Sequence, residues 1–303
     1  MTAPSRLLPL LALLVGAAAI GFAPIFVRLT ETGPAAAGFW RLAFAFPVLA
    51  LAAGAAARRE PGRGWALGWG LLAGVLFAGD MGFWHYGVTF TSVTNATVLT
   101  NLTPVVVTAA AWLLFRERPG KLFLAALALA LAGAALLASA KGGGGRGTNP
   151  PLGDLFSLIT ALWYGGYFLA VRQARTTTSA MRVMAISSAA GAPLLLLAAV
   201  LLKEDLTPET AAGWWSCAAL GLVHVIGQGA IAWALGRLPT ALASIVVFVQ
   251  PVVAAILGRL IFGEAVTPMQ MLGGAVALSG VVLAQWSAAR TKTGAEAVRP
   301  PRP

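Results

Sequence analysis

The sequence predicts an all-α polytopic membrane protein with ten transmembrane helices, arranged as two inverted five-helix repeats. Three observations lead to this fold class: an apolar composition, ten apolar runs of membrane-spanning length, and a motif that recurs in the second half. The 303 residues are 58% hydrophobic and 10% charged, whereas about a quarter of the residues of a soluble domain are charged. The composition alone therefore indicates an integral membrane protein.

Ten apolar runs are long enough to cross a bilayer. They cover about residues 7–28, 35–56, 65–88, 92–115, 121–140, 152–172, 179–202, 211–235, 239–261 and 267–289. The first run follows Arg6 like a secretory signal, but it has spanning length, so we expect it to be the first helix. The polar tail at 290–303 is expected to be disordered and cytoplasmic.

Lysine and arginine residues predict the orientation of these helices. If the N-terminus is inside, fifteen of them fall on the cytoplasmic side and six on the opposite side. The six are Arg28, Arg41, Lys141, Arg146, Lys203 and Arg259. Because basic residues favour the cytoplasmic side, both termini are predicted to be cytoplasmic. The net charge of +11 is thus a topology signal, and no nucleic-acid partner is expected.

A motif in the fourth run recurs in the ninth. "NLTPVVVTAAAWLLFRE" and "FVQPVVAAILGRLIFGE" both contain Pro-Val-Val, at Pro104 and Pro251, and both place a Glu thirteen residues after the Pro. The same offset of 147 residues aligns Gly133 with Gly280. "IGFAPIFVR" in the first run also aligns with "YGGYFLAVR" in the sixth. A shared Pro, Glu and Gly register indicates an internal repeat.

The repeat divides the chain into two halves. We expect a first repeat at 7–140, a Gly-rich linker at 141–151 and a second repeat at 152–289. Each half has five helices, an odd number, so the second half must be inverted relative to the first. Inverted repeats are typical of alternating access around a site near the membrane midplane.

The five-plus-five layout, the prolines of the fourth and ninth helices, and the endings "FRE" and "FGE" resemble the EamA-type transporters of the drug/metabolite transporter superfamily. The resemblance implies a secondary transporter, similar to the bacterial inner-membrane exporters of amino acids and related metabolites. It therefore implies a multi-pass protein of the cell inner membrane, with no enzymatic activity and no cofactor. The sequence has no GxxxxGK[ST] motif for ATP hydrolysis. One cysteine and two histidines are also too few to predict a metal site.

Asp80 is the only acidic residue well inside a predicted span. A carboxylate in a membrane is costly, so it is a functional candidate by default; the alternative is a hydrogen-bonded structural group. We predict Asp80 and His85 as coupling candidates. His85 could equally be an interfacial histidine beside an aromatic belt.

The predicted substrate-binding residues are polar or aromatic. His224 and Gln228 lie one turn apart in the eighth span and either join helices or line a cavity, and we favour the cavity. Trp163 and Tyr167 share a helix face and are predicted to form a stacking wall, with ordinary packing as the alternative. The remaining predicted members of the set are Asn101, Gln250 and Phe22.

Prolines and glycines are the predicted gating elements. Pro104 and Pro251 each remove a backbone hydrogen bond within a span, and the result is either a static kink or a gating bend. Gly165 and Gly166 permit close approach of another helix. Glu117 and Glu264, by contrast, are expected to be structural caps or salt-bridge partners.

The predicted lining contains aromatic, amide, hydroxyl and imidazole groups, with no Lys or Arg expected near the midplane. It therefore disfavours sugar phosphates and favours amino acids first and organic cations second. The expected partners are this small-molecule substrate and membrane lipid, and a monomer suffices for function. An intramembrane lipid-modifying enzyme would need clustered acids or nucleophiles at one membrane face. A scaffold would not need polar residues buried in several spans.

Overall fold

The computed structural model describes residues 7–59, 67–103, 120–139, 147–175, 177–235 and 249–297. The secondary structure of these residues is helical, and none of them forms a strand. The first half contains α1 Leu7–Gly21, α2 Ala23–Leu29, α3 Pro34–Arg59, α4 Leu67–Phe90, α5 Val93–Thr100 and α6 Lys121–Ser139. The second half contains α7 Pro150–Ala174, α8 Ala180–Leu201, α9 Ala211–Val223, a π-helical turn His224–Gln228, α10 Gly229–Leu235, α11 Val249–Phe262 and α12 Pro268–Ala297.

Helical segments of membrane-spanning length and composition confirm the predicted class. Six are long and apolar enough to cross a bilayer: Leu7–Leu29, Pro34–Ala55, Leu67–Phe90, Pro150–Val171, Ala180–Leu201 and Ala211–Ile231. Three shorter apolar helices are Lys121–Leu136, Val249–Phe262 and Pro268–Leu283. The count of ten spans and the cytoplasmic termini stay predictions. Pro104, Glu117 and most of the Gly-rich linker lie outside the described residues.

Side-chain caps fix the starts of several helices. Ser92 accepts a hydrogen bond from the backbone N–H of Asn95 at 3.1 Å, at the start of α5. Thr210 accepts one from the N–H of Gly213 at 3.2 Å, at the start of α9. The first N–H groups of a helix have no partner within it, and a Ser or Thr cap satisfies one of them.

The first span is broken between α1 and α2. The break falls at Phe22, whose N–H donates to the carbonyl of Ala19 at 3.1 Å. Pro24 follows in the first turn of α2, where its missing N–H removes no helical bond. The aligned helix α7 instead runs without a break through Gly165 and Gly166. A hinge at these two glycines stays a prediction.

Helices α3 and α8, which correspond in the repeat, pack together in opposite directions. The N–H groups of Ala35 and Ala36 donate to the carboxylate of Glu204 at 3.2 and 2.9 Å. The N–H of Gly33 donates to the carbonyl of Asp205 at 3.0 Å. The start of α3 therefore lies beside the end of α8. These two equivalent helices thus run antiparallel, as an inverted second half would require.

Two aligned glycines allow α6 and α12 to touch. A Cβ atom at Gly133 would collide with the backbone of Ala277, and one at Gly280 with the backbone of Ala130. Small residues let helix backbones approach closely in a membrane. The glycine register of the repeat thus has a packing cause in both halves.

Candidate functional site

Buried polar side chains and the half-buried Tyr164 meet where α3, α4, α7, α8 and the π-helical turn come together. We call this group the central polar cluster. It consists of Arg41, Asp80, His85, Tyr164, Tyr167, Ser187, Ser188, His224 and Gln228. Both halves of the chain contribute to it. Ionisable groups buried among apolar helices are costly and mark functional sites by default.

Arg41 is the cation of the cluster. Its side chain is 1% exposed, and its guanidinium lies over the ring of Trp84, 5.8 Å from the ring centroid, in a cation–π contact. Its Nε and one Nη are buried without a hydrogen-bond partner. The cluster thus contains a buried cation that the sequence analysis did not include among the candidate site residues. Arg41 interrupts an apolar run, "GFWRLAFAF", and a basic residue at such a position is itself a signal.

Asp80 faces Arg41 from α4 and is 2% exposed. The two side chains interact electrostatically. Arg41 and Asp80 are nevertheless not in direct contact. Among the described residues, the one ion pair within 4.0 Å joins Arg28 and Glu264. The Oδ2 atom of Asp80 is also buried without a hydrogen-bond partner. Two opposite buried charges thus attract each other while each keeps unmet hydrogen-bonding capacity.

His85 is fully buried between α3 and α4. Its Nδ1 lies 2.9 Å from the carbonyl of Pro34. A carbonyl only accepts, so Nδ1 must carry the hydrogen, and in the neutral ring Nε2 is the acceptor. Nε2 has no partner. His85 is therefore a buried, hydrogen-bonded side chain of the bundle, and both a coupling role and an interfacial position beside an aromatic belt stay predictions.

His224 and Gln228 form the two ends of the π-helical turn. His224 packs against the ring of Phe77 with centroids 5.2 Å apart, and its Nε2 lies 3.5 Å from the hydroxyl of Ser188 on α8. Gln228 is hydrogen-bonded to Tyr164 on α7. Both predicted residues thus join helices and also belong to the cluster. π-Helical turns occur frequently at functional sites, and nothing in the sequence indicated this one.

Two tyrosines supply the aromatic side of the cluster. The rings of Tyr164 and Tyr167 stack with centroids 6.1 Å apart and planes at 14°. Tyr167 is also hydrogen-bonded to Ser187 and contacts Phe77 at a centroid distance of 4.7 Å. Tyr167 was expected in the site, whereas sequence reasoning did not select Tyr164. The signal was available, because Tyr164 is a polar aromatic in the middle of a span.

Comparisons with known proteins agree with this architecture. The model of the EamA-like transporter family matches residues 7–139 and 151–286. The chain belongs to the EamA-like transporter family. A solved crystal structure is similar over 93% of this chain and 98% of its own, at 21% sequence identity and a TM-score of 0.59, and this likeness concerns the fold alone. A search of the curated proteins finds no match.

Trp163 of this EamA-like transporter lies against α4. A Cβ atom at Gly79 would collide with the indole ring, so the absence of a side chain at Gly79 makes room for it. The indole also stacks on Phe83 with centroids 6.3 Å apart and planes at 19°. Trp163 therefore fills the contact between α4 and α7, and its role in substrate binding stays a prediction.

Three further predicted residues have no described contact with the central polar cluster of the transporter. The side-chain amide of Asn101 donates to the carbonyl of Thr97 at 2.8 Å, within its own helical segment. Gln250 is buried in the first turn of α11, and its Nε2 has no partner among the described residues. Phe22 is 40% exposed at the break between α1 and α2. Their predicted roles are untested.

Of the predicted gating prolines, Pro251 lies buried in the first turn of α11, and Pro104 falls outside the described residues. The described residues contain no group of three or more His, Cys, Asp or Glu side chains that could hold a metal ion. Cys217, the single cysteine of the chain, is buried in α9.

A second polar network holds one end of the helix bundle. The guanidinium of Arg28 donates to the carboxylate of Glu264 at 2.5 Å and to the carbonyls of Val88 and Thr91 at 2.8 and 2.5 Å. The carboxylate also accepts from the N–H of Val93 at 3.0 Å, at the start of α5. The expectation that Glu264 is a cap and salt-bridge partner is confirmed. Glu117, for which the same role was expected, is not among the described residues.

Three other acidic residues tie helices together at this end of the transporter. Asp154 accepts from the hydroxyl of Thr91 at 2.7 Å. Glu204 accepts from the hydroxyl of Tyr86 as well as from the start of α3. Glu31 accepts from the hydroxyl of Thr210 at 2.7 Å and from its N–H at 2.9 Å. The hydroxyl bond is the largest cause that lowers the pKa of Glu31, followed by the backbone bond.

Proposed function

We propose that this EamA-like transporter exports small amphipathic metabolites, amino acids first, by alternating access around the central polar cluster. The observation that carries the proposal is the composition of the cluster from both halves. Arg41 and Asp80 come from the first half, and Tyr167 and His224 from the second. A site between two inverted halves can be exposed to one side and then the other as the halves move.

The chemistry of the cluster supports a small polar substrate. It offers a guanidinium, a carboxylate, two imidazoles and hydroxyl groups next to aromatic rings. Such a combination suits a molecule with a polar head and an apolar side chain. We propose Tyr167, His224 and Gln228 as the binding residues within the cluster, and Asp80 and His85 as the groups that couple transport to protons.

The remaining predicted residues complete the proposal outside the cluster. We propose that Trp163, Asn101, Gln250 and Phe22 line the route of the substrate. The proposed gating positions are Pro104, Pro251, Gly165 and Gly166. Bends at prolines and close helix contacts at glycines are the features by which one half could move against the other.

The proposed setting is the cell inner membrane, with both termini in the cytoplasm and a monomer as the working unit. The network around Arg28 and Glu264 would then face the outside. Cysteine accessibility tests this orientation, because replacing Cys217 with Ala gives a background without cysteines. In intact cells, a membrane-impermeant maleimide should label Asp205→Cys and spare Arg58→Cys, two exposed positions. The opposite labelling would reverse the topology.

Counterflow in proteoliposomes tests the transport function. Preloaded unlabelled leucine should drive uptake of labelled leucine, and the labelled solute should be recovered unmodified. Tyr167→Ala should reduce the rate of leucine counterflow. Leu169→Ala should not, because Leu169 lies on the same helix but its side chain is 52% exposed. If the protein exchanges a sugar phosphate or quaternary cations but does not transport leucine, the amino-acid proposal is contradicted. Recovery of modified solute would indicate an enzyme, and no counterflow of any solute would contradict transport.

A further inference from the structure

We propose that Arg41 and Asp80 bind the two charged groups of a zwitterionic substrate, Arg41 its carboxylate and Asp80 its ammonium. The inference rests on the proposed transport function and specifies the part of the substrate that the site recognises. It also distinguishes between the candidate substrates, because a single anion or a single cation would match only one of the two residues.

The first argument is that both residues are buried but incompletely paired. Arg41 is 1% exposed and Asp80 2% exposed. Three of their polar atoms, Nε and Nη1 of Arg41 and Oδ2 of Asp80, have no hydrogen-bond partner. Nearly all buried polar atoms of proteins have a partner, so these three atoms indicate positions where a ligand's polar atoms would be bound.

The second argument is that the two charges attract each other without direct contact. Their electrostatic interaction shows that the groups are close, yet no N···O distance of 4.0 Å or less between these two described side chains is present. Burying a charge costs several kcal/mol unless it is paired. A molecule placed between them that carries a carboxylate toward Arg41 and an ammonium toward Asp80 would pair both charges at once.

The third argument is that neighbouring contacts fix the two groups. The guanidinium of Arg41 lies over the ring of Trp84, one helical turn beyond Asp80 on α4. The backbone of α4 next to Asp80 is held by the indole of Trp163 at Gly79. Held from both sides, the charges are arranged in advance for a ligand, and preorganisation reduces the entropy that binding must overcome.

The groups around this pair fit the rest of an amino acid. His85 and His224 interact electrostatically with Arg41, and each has one buried nitrogen without a partner. Tyr164 and Tyr167 lie near both Arg41 and Asp80. The stacked tyrosine rings supply an aromatic surface for an apolar side chain. The substrate class is therefore neutral amino acids, and amines without a carboxylate are excluded.

Four related compounds test the pairing by competition with labelled leucine in counterflow. They are leucine, leucinamide, in which an amide replaces the carboxylate, isoamylamine, which lacks the carboxylate, and N-acetylleucine, in which an acetylated nitrogen replaces the ammonium. Because hydrogen bonds to charged groups are worth about 1.5–3 kcal/mol, the amide, the amine and the acetylated acid should each compete at least about tenfold more weakly than leucine.

Variants assign each charge to its residue. In Arg41→Gln, leucine and leucinamide should compete equally, whereas leucine should still exceed N-acetylleucine. In Asp80→Asn, leucine and N-acetylleucine should become equal, whereas leucine should still exceed leucinamide. A residue that only maintains the fold would lower all affinities together and would not remove one preference selectively. Arg41→Lys keeps the charge and should keep part of the preference for the carboxylate, which provides a second variant if Arg41→Gln does not fold.

The outcomes separate this inference from the proposed function. If wild-type protein transports leucine but all four compounds compete equally, the pairing is wrong and transport stands; water would then satisfy Arg41 and Asp80. If the variants keep both wild-type preferences, the assignment to these residues is wrong. If wild-type protein transports no leucine, the proposed function itself fails.

Discussion

The guanidinium of Arg28 and the carboxylate of Glu264 form an ion pair at 2.5 Å across 236 residues of sequence. Arg28 lies near the end of α2, and Glu264 follows the end of α11. The pair therefore connects the first and second halves at one end of the bundle. The side chains are 13% and 5% exposed, so solvent screens the pair less than an ordinary surface ion pair.

Breaking this ion pair should destabilise the protein. Glu264→Gln leaves the guanidinium without its counter-charge, and removing one partner of a buried pair costs on the order of 3 kcal/mol. Thermal unfolding in detergent should show a clearly lower Tm. Arg259→Gln is the matched control, since Arg259 is an exposed residue of the same segment. Equal Tm values for the two variants would show that the pair contributes no stability.

The sequence predicted the parts of the fold that depend on composition and on the repeat. The helices of spanning length, the cap or ion-pair role of Glu264, and the repeat register that aligns Gly133 with Gly280 follow from apolar runs and shared spacing. These features depend on residue type and spacing alone. They were therefore accessible without knowing which helices touch.

Sequence reasoning selected Asp80, Tyr167 and His224 but missed Arg41 and Tyr164, because a membrane helix is apolar on every side. The pattern does not tell a face that packs inside the bundle from one that contacts lipid. Arg41 was thus assigned to a membrane surface by its place early in its run, although it is buried next to Asp80. Tyr164 and Trp163 are adjacent, and only packing distinguishes the residue in the cluster from the one against α4. The π-helical turn likewise depends on tertiary contacts.

The contact between Gly79 and Trp163 should not tolerate a side chain at Gly79. A Cβ there would collide with the indole ring, and overpacking costs about 1–3 kcal/mol. Gly79→Ala should therefore lower the Tm. In a Trp163→Leu background the same substitution should cost much less, as a double-mutant cycle would measure.

Gly68→Ala is the control for that cycle. Gly68 lies on the same helix α4, and an added Cβ would meet nothing within 4 Å. It should leave the Tm unchanged or slightly raised, because Ala favours the helix over Gly. If Gly79→Ala and Gly68→Ala behave alike, or if the cost at Gly79 does not depend on Trp163, the proposed close contact between α4 and α7 is wrong.

Glu31 should give the protein a pH-dependent stability in the acidic range. Its hydrogen bonds to Thr210 lower its pKa below the ordinary 4.5. A lowered pKa in the folded state stabilises the fold above the unfolded pKa, and this stabilisation is lost as the pH falls through the folded value. The Tm difference between wild type and Glu31→Gln should therefore be present at pH 6 and disappear at low pH.

Thr210→Val should abolish most of that pH-dependent difference, because it removes the hydroxyl that donates to Glu31. Asp205→Asn is the control, since the described bond of Asp205 is made by its backbone carbonyl to Gly33. The Tm of this control should follow the wild-type pH profile. A Tm difference for Glu31→Gln that is constant from pH 6 to pH 3 would exclude the contribution of its ionisation.

Asp80 should be required for coupling to a proton gradient. The charged and titratable groups near its carboxylate are Arg41 from α3 and Tyr164 and Tyr167 from α7. None of these can replace a carboxylate that gains and loses a proton during transport. Asp80→Asn should therefore make leucine uptake insensitive to an imposed pH gradient across the proteoliposome membrane.

Asp154 provides the comparison for Asp80, because it is also a buried carboxylate but is hydrogen-bonded to the hydroxyl of Thr91. Asp154→Asn should lower the Tm and leave the response to the pH gradient intact, since a carboxylate that fixes helix ends need not change its protonation during transport. Uptake by Asp80→Asn that still rises with the gradient would assign coupling to another group. A loss of the response in both variants would instead mean that the response depends on the integrity of the bundle.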